Sequence, residues 1–150
     1  MRPLRVFLVE NHRDSAKYIR LYLEHLGHKV TAVPDMATAL KEFPQSNYDV
    51  LISDIGLPDG DGWQLMEQMK SVRPPLSIAM SGYGSAEDLR RSRSAGYDHH
   101  LVKPFSAAEL IALLQEASTL VGEKGNGNKR DRSGEGNDTG TGHAPGDLEV

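Results

Sequence analysis

Five short apolar runs, at residues 4–9, 29–33, 50–53, 76–80 and 99–102, alternate with stretches whose apolar residues recur at helical spacing. That alternation restricts the fold more than any other feature. Strands separated by a helix cannot close as hairpins; they lie parallel, with the helices crossing over the sheet. Ile19, Tyr22, Leu23 and Leu26 mark one helical face, and Leu65, Met66 and Met69 another. Val50-Leu51-Ile52 shows no polar alternation, as expected of a strand buried on both faces. Asp14, Asp35, Ser85 and Ser106 stand where N-caps are needed, and Ser106-Ala107-Ala108-Glu109 has the capping-box spacing ahead of Leu110, Ile111, Leu113 and Leu114. Gly27 and Gly96 fall where helices should stop in the left-handed conformation. The expected fold is α/β: five βα units with a parallel sheet covered by helices on both faces.

Composition sets the limits of that domain. Beyond Val121-Gly122 the chain turns to Gly, Asn, Asp, Ser and Thr, and from Glu123 to Val150 only Ala144, Leu148 and Val150 are apolar. Such a segment cannot bury enough surface to offset its chain entropy. We therefore expect a folded domain over residues 1–121 and a disordered tail over 122–150. The 17 basic and 21 acidic residues give a net charge of -4, which argues against a nucleic-acid partner. Absence of cysteine excludes disulfides, thiolate metal sites and cysteine nucleophiles. No apolar run approaches a signal segment or a membrane span, so a cytoplasmic protein with no membrane partner is expected.

Chemistry concentrates at the strand exits. Glu10-Asn11, Asp54, Ser81 and Lys103 follow the first, third, fourth and fifth runs, and in open α/β sheets ligands bind outside the carboxyl ends of the strands. Clustered carboxylates repel unless a cation sits among them. Oxygen donors without cysteine suit a hard cation, and Mg²⁺ retaining several waters suits two carboxylates. A lysine and a hydroxyl beside such a site would clamp a phosphoryl group, whose transfer needs positioning and charge neutralisation above all. Asp54 would be the nucleophile, forming an aspartyl phosphate.

With these residues in hand, the chain resembles the receiver domain of two-component response regulators, of the single-domain type. The matching segments are Phe7-Leu8-Val9-Glu10-Asn11, Ser53-Asp54-Ile55-Gly56-Leu57-Pro58-Asp59-Gly60-Asp61-Gly62, Ala79-Met80-Ser81-Gly82 and Leu101-Val102-Lys103-Pro104-Phe105, spread over residues 4 to about 121. The resemblance implies a flavodoxin-like three-layer sandwich with strand order 2-1-3-4-5. It implies transfer of a phosphoryl group from a sensor histidine kinase or phosphotransfer protein to Asp54. The protein would not be an enzyme acting on other substrates; it would catalyse its own phosphorylation and dephosphorylation. Mg²⁺ would be held by Glu10, Asn11, Asp54 and the Gly56 carbonyl. Ser81 and His100 would form the switch toward an unknown output protein, and the Lys103-Pro104 bond would be cis. Two positions depart from the family: Asn11 stands where a second acid is usual, and His100 where Tyr or Phe is usual.

The remaining candidates have plainer readings. His12, His25, His28 and His143 lack ligand spacing and read as surface residues. His99 and His100 are adjacent in a strand, so their rings point to opposite faces. Asp59 and Asp61, among glycines, read as a turn and helix cap. Trp63 packs at a helix start, and Arg90, Arg91 and Arg93 form a solvated face. One rival reading is a phosphorylation-independent pseudo-receiver that binds proteins. Another is a phosphohydrolase, but Gly56 stands where such enzymes carry a further acid or base.

Overall fold

The computed structural model describes residues 2–69 and 72–125. In chain order the elements are β1 (Arg5–Val9), α1 (Arg13–His25), β2 (Lys29–Val33), α2 (Met36–Glu42), a 3-10 turn (Phe43–Gln45), β3 (Val50–Asp54), β4 (Gly56–Leu57), β5 (Gly60–Asp61), α3 (Gly62–Gln68), β6 (Leu76–Ser81), α4 (Ala86–Ala95), β7 (His99–Val102) and α5 (Ala107–Gly125). Five strands form one parallel sheet in the order β2-β1-β3-β6-β7, and β4 with β5 makes a small antiparallel ribbon. Counting the sheet strands alone, this is the 2-1-3-4-5 order that the resemblance implies. No helix among the described residues is long and apolar enough to cross a membrane.

Strand alternation divides the core between two layers. Val6, Leu8, Ile52, Ile78 and Met80 pack with Ile19 and Leu23 of α1 and Leu110, Leu114 and Ala117 of α5. Phe7, Val9, Leu51 and Ala79 face the other way, toward Ala39, Leu65, Met66 and Ala95 of α2, α3 and α4. The Phe7 ring meets Phe43 edge-on, with centroids 5.2 Å apart, and Tyr48 at 4.9 Å. β3, buried at every position, is the middle of the sheet and carries Asp54 as its last residue.

Several local expectations need correction. Asp14 is not an N-cap: α1 starts two residues earlier than that would require, at Arg13 with His12 at the cap, and Asp14 lies in the first turn, where its charge still complements the helix dipole. Asp59 does not cap its own loop. Its two carboxylate oxygens accept the Met36 and Ala37 N–H groups at 2.8 and 2.9 Å, closing the start of α2 from across the fold. Asp61 does cap α3, in a box with Gln64. His28 is buried, and its Nδ1 accepts the Leu4 N–H at 3.0 Å. The last helix runs to Gly125, past the change in composition at residue 121, because nothing between Val121 and Gly125 breaks a helix outright. The tail from 126 onward lies outside the described residues. The caps at Asp35, Ser85 and Ser106 and the positive φ at Gly27 and Gly96 are as expected.

Candidate functional site

Parallel register brings the carboxyl ends of β1, β3 and β6 side by side, with Val9 opposite Ser53 and Asp54 opposite Met80. Glu10 follows β1, Asp54 ends β3, and Lys103 follows β7. They meet although 93 residues separate Glu10 from Lys103. The lysine Nζ lies 3.0 Å from Glu10 Oε1 and 2.9 Å from Asp54 Oδ1. Both carboxylates are buried, the Glu10 side chain completely. The Lys103-Pro104 bond is cis.

Charge at this cluster does not balance: two acids share one ammonium. Burial raises the Asp54 carboxyl, and Glu10 beside it adds to the effect, so that against the pull of Lys103 it is pushed up to about 7. Burial also opposes ionisation of Glu10. Its hydrogen bonds with Asp54, the His12 N–H and Lys103 outweigh that cost and hold it below the usual carboxylate range. Burial lowers the Lys103 ammonium, and the two carboxylates more than reverse this, so it stays charged. A pair of buried carboxylates carrying surplus negative charge fits a hard divalent cation.

Other expected residues fall near this centre in different ways. Asn11 is exposed and Gly56 lies in open space at the rim, two residues beyond Asp54. His12 was overlooked by spacing arguments because it is next but one to Glu10. Its side chain is 74% exposed, yet Nδ1 approaches Glu10 Oε2 to 3.2 Å. Donor atoms of Glu10, His12 and Asp54 lie within 4.8 Å of one another, so His12 stands at the mouth of any cation site. Ser81 is the last residue of β6, and its hydrogen bonds go to Tyr83 and His100. The hydroxyl donates to the Tyr83 carbonyl at 2.6 Å, accepts the Tyr83 N–H at 3.1 Å, and meets His100 Nε2 at 3.0 Å.

The two neighbouring histidines separate as strand alternation requires. His99 turns to α5 and Glu116, whereas His100 turns to α4, its Nδ1 2.7 Å from Ser92 Oγ. The His100 ring is already engaged at both nitrogens. Ser92 also accepts the Trp63 indole N–H at 2.9 Å, and Arg91 lies 4.0 Å over that indole, so Arg91 is more than a solvated charge. No sequence spacing signals the Ser92 contact, since it joins a helix to a strand by packing alone.

Backbone near Asp54 leaves no room for change. Gly62 donates its N–H to the Ile55 carbonyl at 2.8 Å, and its own carbonyl accepts the buried Tyr97 hydroxyl at 2.8 Å. A Cβ at Gly62 would stand 2.5 Å from the Asp54 carbonyl oxygen and 3.0 Å from Ile55 Cα. Gly62→Ala is expected to cost about 1–3 kcal/mol through forced overpacking and to displace the Asp54 backbone. Urea unfolding and beryllofluoride binding would both register it.

A sequence profile of the response regulator receiver domain matches residues 6–115. The transcriptional regulatory protein HprR of Escherichia coli is 29% identical over 112 residues, 75% of this chain and 50% of that protein. The transcriptional regulatory protein CseB of Streptomyces coelicolor is 30% identical over 145 residues, 97% of this chain and 62% of that protein. The chain thus spans between half and two thirds of the length of these curated relatives. Among solved structures, the receiver domain of the Francisella response regulator 1452 superposes with a TM-score of 0.72 at 27% identity, covering 81% of this chain and 98% of that one. A two-component response regulator from Clostridium difficile gives 0.74 at 21% identity, covering 77% and 96%, a likeness of fold. With sequence profile, strand order and the acid–lysine cluster at the sheet edge in agreement, the chain belongs to the response regulator receiver domain family.

Proposed function

We propose that Asp54 accepts a phosphoryl group from the phosphohistidine of a sensor histidine kinase or phosphotransfer protein, and that phosphorylation alters the domain's contacts with an output protein. The observation that carries this reading is the buried Asp54 carboxylate at the end of the central strand, 2.9 Å from the Lys103 ammonium. In the transfer, an Asp54 oxygen attacks phosphorus as the N–P bond breaks, and the departing imidazole takes up a proton. Mg²⁺, held by Glu10, Asp54 and the Gly56 carbonyl, with Asn11 contributing directly or through water, would neutralise charge on the phosphoryl oxygens. Lys103, bonded to Asp54, would follow the new negative charge onto a phosphoryl oxygen, and Ser81, once released from Tyr83 and His100, would donate to another. Domain-level assignments follow the same reading: a cytoplasmic receiver module that ends with α5 at Gly125 rather than at residue 121.

Titration with beryllofluoride in the presence and absence of Mg²⁺ tests the proposal. Saturable, Mg²⁺-dependent binding supports it; no binding would favour the phosphorylation-independent module. Asn11 gives a second, quantitative check. Restoring a carboxylate with Asn11→Asp adds one charge near the cation and is expected to tighten Mg²⁺ binding on the order of tenfold. A fluorescence titration with no tightening would place Asn11 outside the coordination sphere.

A further inference from the structure

Resting on the phosphoacceptor reading, we propose that Ser92 is a positioning residue. It holds the His100 ring so that the ring competes with the phosphoryl group for the Ser81 hydroxyl, and it passes the outcome of that competition to Trp63.

The argument is one of proton accounting. A serine hydroxyl has one proton and two acceptor lone pairs. At 2.6 Å from the Tyr83 carbonyl, the Ser81 proton is committed to that oxygen, because two acceptors cannot approach so closely without one between them. Ser81 Oγ therefore accepts from its other partners, the Tyr83 N–H and His100 Nε2–H. Nε2 then carries the proton of the neutral ring and Nδ1 is bare. Ser92 Oγ, 2.7 Å away, donates to Nδ1, and one of its lone pairs accepts the Trp63 indole N–H at 2.9 Å. Every donor in the chain Trp63–Ser92–His100–Ser81–Tyr83 is used once, in one direction.

The consequence is mechanical. Ser81 has to break three hydrogen bonds to two partners, Tyr83 and His100, before its hydroxyl can reach a phosphoryl group on Asp54. One of those partners, His100, is kept in place by a serine on a different element, α4. Ser92 is buried at 1% exposure, so its hydroxyl cannot exchange the ring for bulk water. When Ser81 turns away, the His100 ring loses the Ser81 oxygen and keeps on that side only the Tyr83 backbone, with which it also hydrogen-bonds, so its position shifts. Movement of the ring breaks the Ser92 bond and reaches Trp63 and the Arg91 stacked on it, between α3 and α4. Trp63 is the single tryptophan of the chain, which makes it a built-in reporter.

The test reads the ring directly. In long-range ¹⁵N–¹H spectra of the full chain at neutral pH, His100 is expected to show a protonated Nε2 and an unprotonated, hydrogen-bonded Nδ1. Ser92→Ala should move the Nδ1 resonance to that of a free imidazole nitrogen, and Ser92→Thr should restore it. With Mg²⁺ present, Ser92→Ala should also bind beryllofluoride more tightly by about two- to tenfold, the factor corresponding to one net hydrogen bond. Trp63 fluorescence should respond to beryllofluoride in the wild type and much less in Ser92→Ala. A protonated Nδ1 in the wild type overturns the assignment, as does an Nδ1 resonance or a beryllofluoride affinity unmoved by Ser92→Ala. Should that variant not fold, the wild-type ring and its Ser92→Thr counterpart still decide. A wild-type protein that ignores beryllofluoride would instead sink the phosphoacceptor reading, while the nitrogen spectra continue to report on Ser92.

Discussion

Asp54→Asn is expected to abolish modification by acetyl phosphate and binding of beryllofluoride while making the metal-free protein more stable at neutral and alkaline pH. The first effect follows from losing the nucleophilic oxygen; mass spectrometry of treated wild type and variant measures it, and equal modification of the two would remove Asp54 from the mechanism. The second follows from the sign of the titration. Burial and the neighbouring Glu10 raise the Asp54 carboxyl from the ordinary 3.8 to about 7. Between those values the folded state binds a proton that the unfolded chain has lost. Stability therefore falls as pH rises across that window, and the loss is complete above the folded value. An asparagine has no charge to bury and leaves Glu10 and Lys103 as a balanced pair. In thermal melts without divalent cation, the variant should exceed wild type by about 5 °C at alkaline pH, with the gap closing toward pH 4. A gap that is constant with pH would mean Asp54 is not the group holding the proton.

Lys103→Met should be the most damaging single change for the metal-free fold. Its ammonium is the one cation bonded to both Glu10 and Asp54 among the described residues, at 3.0 and 2.9 Å. Removing one member of a buried ion cluster leaves its partners uncompensated, at a cost of about 3 kcal/mol. Two facing carboxylates would then retain a proton to still higher pH. The raised carboxyl pKa makes the loss of stability small in acid and full in alkali. Mg²⁺ should recover part of the loss, since a cation between the acids replaces the missing charge. Melting curves over pH, with and without Mg²⁺, separate these terms. A variant as stable as wild type at alkaline pH would show that solvent, and not Lys103, compensates the acids.

Much of this was open to reading from residue order, and for a local reason. Short apolar runs in alternation with helical periodicity allow few arrangements other than a parallel sheet, and strand exits then gather Glu10, Asp54, Ser81 and Lys103 at one edge. Caps such as Ser85, with its oxygen on the Asp88 N–H at 3.1 Å, act within one turn of helix and so leave a spacing in the sequence. Resemblance to the receiver family added the strand order and the cis Lys103-Pro104 bond.

Contacts between elements distant in the chain left no such trace. Asp59 reaches 23 residues back to Met36, and its identity as a turn residue is the same whichever helix it caps. His28 looks like any exposed histidine until β1 brings the Leu4 N–H to its ring. Seen as a sequence, His12 and Ser92 are a loop residue and a helical serine; only packing brings one to Glu10 and the other to His100. The sequence by itself determined the α/β class, the five strands of the sheet and which polar residues stand at their ends, because periodicity, caps and strand ends are properties of neighbouring residues. Tertiary structure alone decided which acid keeps the proton, where Ser81 points and what holds the His100 ring. Those depend on burial and on distances of about 3 Å across separate elements, which no local pattern encodes.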